Sequence, residues 1–111
     1  MSQEGVHHQD PIASELVQED ASFADIVVQF VEGLDARLAK MHDAIEKSDF
    51  EALRGAAHQL KGSGGGYGYP ILTELAAELE RFAQSGILDD CKTALDGLKN
   101  TCSRVVVDTD A

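Results

Sequence analysis

The residues best able to do chemistry lie between Arg54 and Ser63. On a helix at 100° per residue, Phe50, Leu53, Ala57 and Leu60 form one apolar stripe. His58 projects roughly 130° from the middle of that stripe, away from the core. Its helical neighbours are Arg54, Gly55, Lys61 and Gly62. The pattern is an exposed imidazole with open space on one side and positive charge on the other. A neutral imidazole, whose ordinary pKa is ~6.5, is a competent nucleophile near neutral pH. A phosphoryl group is its natural cargo, and Lys61 supplies a point charge to offset it. The ordinary alternative is a solvated surface histidine. The glycines weigh against that, because each costs about 1 kcal/mol in a helix interior relative to Ala. Gly55, Gly62 and Gly64 to Gly66 all fall where the helical pattern continues. Bare backbone is therefore needed there, for helix packing or for a partner's approach.

The run His58-Gln59-Leu60-Lys61-Gly62-Ser63, with Gly68 closing the segment and Leu75-Ala76-Ala77-Glu78-Leu79-Glu80 downstream, resembles the signature of the histidine-containing phosphotransfer (HPt) domain of multistep two-component phosphorelays. The resemblance spans about residues 10 to 107. It implies a carrier with little catalytic activity alone. His58 would accept a phosphoryl group from a receiver-domain phospho-aspartate, or from a histidine kinase, and pass it to a response-regulator receiver. Lys61 would face the phosphoryl oxygens, and Gly62 would leave room for the receiver. Glu80 would accept the Nδ1–H of His58 and leave Nε2 free to attack, or else be a solvated glutamate. Gln59 and Ser63 would lie at the rim, and Arg54 would be a second phosphate contact or a plain surface charge. No cofactor or metal of its own is implied, since Mg²⁺ belongs to the partner receiver. The other reading is an HPt-like helical interaction module without phosphotransfer.

Rival site chemistries fail on spacing. A GxGxxG loop starting at Gly62 or Gly64 would put Tyr67 or Tyr69 at its third glycine, with no strand before it. A P-loop has its Gly-Lys-Ser after the glycines, whereas Lys61-Gly62-Ser63 precedes them. A di-metal bundle needs Glu-x-x-His, but Ala39 and Gly55 stand three residues before His42 and His58. A hydrolase with His58 as base lacks a facing nucleophile and an orienting acid. A kinase dimerisation domain needs an acidic residue after the His and an ATP-binding domain.

The elements that must position His58 are all helical. Asp10-Pro11 predicts a short first helix ending near Asp20, with Ile12, Leu16 and Val17 inward. Ser22 with Asp25 predicts the cap of a second helix of roughly 25 residues, striped by Phe23, Ile26, Val27, Phe30, Val31, Leu34, Leu38, Met41 and Ile45. Gly33 interrupts it, a place for close packing. Ser48-Asp49-Phe50-Glu51 reads as a capping box opening the helix of His58. Propensity breaks that helix at Gly64; the resemblance carries it to about Gly66, with a left-handed stop at Gly68. Pro70 opens the next helix, striped by Leu72, Leu75, Leu79 and Phe82 around Ala76, and Gly86 ends it. Asp89 or Asp90 caps the last, striped by Cys91, Leu95, Leu98, Cys102 and Val105. Val105 to Val107 could be read as a strand, but with no other strand candidate to pair with they are read as its fraying end. The expected fold is all-α: an antiparallel up-down four-helix bundle with a short additional N-terminal helix. Residues 1–9 are an expected flexible lead-in, 10–107 the bundle and 108–111 a tail.

One domain fits 111 residues. With few aromatics and no Trp, the core must be Leu, Val, Ile and Ala. A net charge of −11 makes nucleic acid and anionic membranes poor partners; against it, Arg54 and Lys61 read as a local cationic island. Cys91 and Cys102, roughly 16 Å apart on one helix, cannot bond and read as buried thiols of a reducing compartment. No zinc-ligand spacing is present, the tandem His7-His8 has too few ligands nearby for a metal, and His42 reads as structural or solvated. No membrane span or signal peptide is visible, so a cytoplasmic monomer is expected, either free-standing or part of a larger kinase.

Overall fold

The three- and four-residue apolar repeats do become helices. The computed structural model describes residues 10–108. α1 spans Glu15–Glu19, α2 Ala24–Glu32, α3 Leu34–Glu46, α4 Phe50–Gly64, α5 Pro70–Ser85 and α6 Leu88–Cys102. Turns of 3₁₀ helix occupy Ala21–Phe23 and Gly65–Tyr67. No strand of a sheet occurs among the described residues. The lead-in expected over 1–9, with His7 and His8, and positions 109–111 of the tail lie outside them.

α3 packs on α4, α4 on α5, α5 on α6 and α6 back on α3, so the four long helices close into a bundle. Residue pairs give their directions. His58 meets Glu80 while Gly65 meets Thr73, so α4 and α5 run antiparallel. Leu53, Leu60, Leu72, Leu79, Leu98, Met41 and Cys91 are fully buried between them. The stripes of the His58 helix and of α5 are as expected, with Phe50, Leu75 and Phe82 half-buried at the edges. No helix among the described residues is long and apolar enough to cross a membrane.

Several helix starts differ from expectation. The first helix begins at Glu15, not after Pro11. The backbone of residues 12–14 is taken up by the C-terminal segment instead. Ile12 N donates to Arg104 O at 2.8 Å, Val106 N to Ile12 O at 2.9 Å and Ser14 N to Val107 O at 3.2 Å. This isolated parallel bridge, Ile12 with Val105, also corrects the reading of Val105 to Val107 as a fraying helix end. Those valines do have a partner, 93 positions away in the sequence at Ile12. Ser14 caps α1 by accepting from Val17 N. Asp20, not Ser22, caps the following turn by accepting from Ser22 N. Asp49, not Ser48, caps α4 by accepting from Ala52 N, and Ser48 sits in the left-handed turn before it at φ 50°. Ile87 precedes α6 with no side-chain cap, leaving Asp89 and Asp90 in its first turn, where carboxylates suit the helix dipole.

The long second helix is divided at Gly33 into α2 and α3. A Cβ at Gly33 would meet only the Gln29 and Phe30 carbonyls, at 3.6 and 3.5 Å, so the glycine marks the break without admitting a neighbouring helix. α2 meets chiefly its own flanking segments. Val27 and Phe30 therefore go under, while Phe23 and Ile26 of the expected stripe stay exposed. Phe30 stacks on Tyr67 at 4.6 Å between ring centroids, which ties α2 to the end of the α4 segment. Cys91 is buried, whereas Cys102 is only half-buried. Burial pushes the Cys102 thiol up to about 11, with the Asp35 charge adding, and raises Cys91 as well; both are free and protonated at neutral pH.

Candidate functional site

α4 brings His58 to the surface because its apolar residues are spent on the stripe beneath. The His58 side chain is 63% exposed and the Glu80 side chain only 10%. Glu80 reaches out of α5 from below, and its two oxygens divide between two partners. Oε2 lies 3.0 Å from His58 Nδ1, and Oε1 lies 2.7 Å from Lys61 Nζ. The three expected side chains of the site thus form one chain of contacts, and Glu80 is not a solvated glutamate.

The charge state fixes the direction of the hydrogen bonds. The Lys61 ammonium, first, and the His58 ring hold the Glu80 carboxyl below the usual carboxylate range, against the opposing effect of burial. At neutral pH Glu80 is a carboxylate and can only accept. Nδ1 of His58 must then carry the proton and donate it, which leaves the Nε2 lone pair of the neutral ring directed outward.

The expected cationic island is corrected by these contacts. Lys61 is paired with Glu80, and Arg54 with Glu51 at 3.3 Å on the exposed face. Both cations of that island have thus drawn a carboxylate, Arg54 from its own helix and Lys61 from the adjoining one. The Arg54 pair is exposed and contributes little to stability.

The glycines separate into two kinds. At Gly55, Gly62 and Gly66 an added Cβ would meet nothing within 4 Å. At Gly64 it would stand 2.9 Å from Leu72 Cβ and 3.1 Å from Thr73 N. Gly62 beside His58 is open surface, while Gly64 is where α4 and α5 touch backbone to backbone. Gly68 ends the segment at φ 97°, as expected, and a side chain there would collide with Ser14. Gln59 is exposed, and the Ser63 hydroxyl donates back to the Gln59 carbonyl at 3.0 Å.

Three contributors escaped the sequence reading. Thr73 Oγ1 accepts from Gly65 N and donates to Lys61 O, both at 2.8 Å. Ser14 Oγ donates to Tyr67 O at 2.7 Å. Buried Tyr69 donates its hydroxyl to Val106 O at 2.6 Å, and burial pushes that hydroxyl up to about 12. Each joins parts of the chain that no local pattern connects, so only tertiary geometry reveals them.

Comparison with known proteins gives one result. Residues 25–107 match the family model of the Hpt domain, while no curated protein and no solved structure matches. The matched span runs from the second residue of α2 through α6 and includes His58, Lys61 and Glu80. The chain belongs to the Hpt domain family, the helical phosphocarriers of two-component phosphorelays.

Proposed function

We propose that His58 is the phosphoacceptor of this carrier. Its Nε2 takes a phosphoryl group from the phospho-aspartate of a receiver domain, or from a histidine kinase, and yields it to a response-regulator receiver. The acyl phosphate P–O bond breaks as the Nε2–P bond forms, and the aspartate carboxylate leaves with the electron pair. The Nδ1 proton stays on the ring, donated to Glu80, so the positive charge that develops on the imidazole meets a carboxylate. Lys61 stands one helical turn along, within reach of Glu80, and turns toward the phosphoryl oxygens as they arrive. Gly62 keeps the approach to Nε2 clear. The protein supplies a positioned nucleophile; Mg²⁺ and the groups around the aspartate come from the receiver. The carrier domain spans residues 10–107 and acts as a cytoplasmic monomer.

One observation carries this reading. The exposed His58 ring has its Nδ1 held by a carboxylate whose own side chain is only 10% exposed. A merely solvated histidine needs no such partner. Mixed with a phosphorylated receiver domain and Mg²⁺, the protein is expected to gain an acid-labile, base-stable label. His58→Gln is expected to stay folded and gain none. Ordinary labelling of that variant would overturn the assignment of His58, and a wild type that takes no label from several different receivers would favour a helical interaction module instead.

A further inference from the structure

Thr73 stands on α5 seven residues before Glu80, and Gly65 follows His58 by the same seven. Seven residues are close to two helical turns. The contact of Thr73 with Gly65 and the contact of Glu80 with His58 are therefore two rungs of one antiparallel helix pair, two turns apart. At the first rung the helices are as close as backbone permits, since Gly64 leaves no room for a Cβ against Leu72 and Thr73. The Thr73 hydroxyl bonds both Gly65 N and Lys61 O. Those two groups are i→i−4 partners of an α-helix, at the point where α4 gives way to a 3₁₀ turn. Lys61 is thus held twice from α5: its carbonyl by Thr73 and its ammonium by Glu80.

We infer that Thr73 is a positioning residue for phosphoryl transfer. Its hydroxyl fixes the register of α4 against α5, and so places Glu80 where it can hold the His58 Nδ1 proton and the Lys61 ammonium together. The inference rests on His58 being the phosphoacceptor. Thr73 touches neither the imidazole nor the incoming phosphorus; it acts through the Lys61 backbone and the helix crossing.

The test compares Thr73→Val, which keeps the shape and loses the hydroxyl, with Thr73→Ser, which keeps the hydroxyl. Two quantities are read where circular dichroism shows each variant folded: the initial rate of labelling by a phosphorylated receiver, and the ¹⁵N signals of the His58 ring. Thr73→Val is expected to accept phosphate about tenfold more slowly, with ring signals moved toward mixed tautomers, and Thr73→Ser to stay within about twofold of the wild type. Wild-type rate and ring signals in Thr73→Val would overturn the inference. So would a Thr73→Ser variant as slow as Thr73→Val, since the hydroxyl would then be irrelevant. If Thr73→Val does not fold, Thr73→Ala takes its place with the same expectations. If the wild type takes no label, the phosphoacceptor reading fails, and the ring signals alone decide on Thr73.

Discussion

At the scale of single residues, the site depends on one carboxylate serving two neighbours. Glu80→Ala removes the acceptor from His58 Nδ1 and the partner from Lys61, and is expected to slow phosphoryl acceptance by about 10- to 100-fold, the usual effect of removing such a supporting partner. Glu80→Gln keeps an oxygen that can accept from Nδ1 but lacks the charge, and is expected to recover part of that rate. Equal loss in both would show that the charge, not the hydrogen bond, matters. The same group sets a pH dependence. The folded-state pKa of Glu80 lies below its ordinary value, with the Lys61 hydrogen bond the largest cause. On acidification the unfolded chain protonates at Glu80 first, so this contribution to stability is full above the ordinary carboxylate range. It is lost as pH falls through the lowered folded value. Urea denaturation of wild type and Glu80→Gln should show a stability gap that closes as pH drops through that range; a gap independent of pH would contradict the ion pair. His58 was legible in the sequence because helical phase alone puts it opposite the stripe. Its tautomer was expected only through the family resemblance, because Glu80 stands 22 residues away on another helix and no local pattern joins the two.

At the scale of elements, the crossing of α4 and α5 sets the geometry. Gly62→Ala adds a methyl into open space and removes a helix-interior glycine, so stability should rise by up to about 1 kcal/mol. The same variant is expected to accept phosphate from a receiver more slowly, because the added Cβ stands on the approach to His58. Gly64→Ala forces its Cβ against Leu72 and the Thr73 backbone, and should destabilise by about 1–3 kcal/mol. Denaturation midpoints showing the two variants alike would contradict this division of the glycines. Periodicity found the helices and their buried faces, and Pro70, Gly68 and Gly86 marked ends that the structure keeps. Caps were less legible. Asp20 and Asp49 each compete with a nearby Ser, and which side chain bonds the free N–H groups depends on backbone angles such as φ 50° at Ser48. The face of α2 was misread because nine residues of strongly apolar sequence have more stripe than the adjoining segments cover.

At the scale of the whole molecule, the two ends of the described chain are tied over the end of the bundle. Residues 12–14 pair with 104–107, and Ser14 reaches Tyr67 while Glu15 N donates to Gly68 O at 2.8 Å. The glycine-rich exit from α4 is thereby clamped from outside. Ser14 is fully buried, and Ser14→Ala loses a helix cap and leaves the Tyr67 carbonyl without that donor. Its thermal or urea unfolding should show about 1–2 kcal/mol less stability, with phosphoryl acceptance unchanged where the variant is folded. Unaltered stability would show that the clamp is incidental. The all-α class was readable because each of the long apolar stripes has helical period. This clamp was not, because the valine run at 105–107 has no visible partner in the sequence, and nothing around Ile12 marks that segment as one.

The central claim is that His58 carries the phosphoryl group on Nε2 while Glu80 holds Nδ1. The most direct measurement is a ¹⁵N and ³¹P NMR spectrum of the ring-labelled protein before and after reaction with a phosphorylated receiver and Mg²⁺. The account predicts an Nδ1–H, Nε2-unprotonated ring beforehand and phosphorus coupled to Nε2 of His58 afterwards. Phosphorus on Nδ1, on another residue, or nowhere would contradict it.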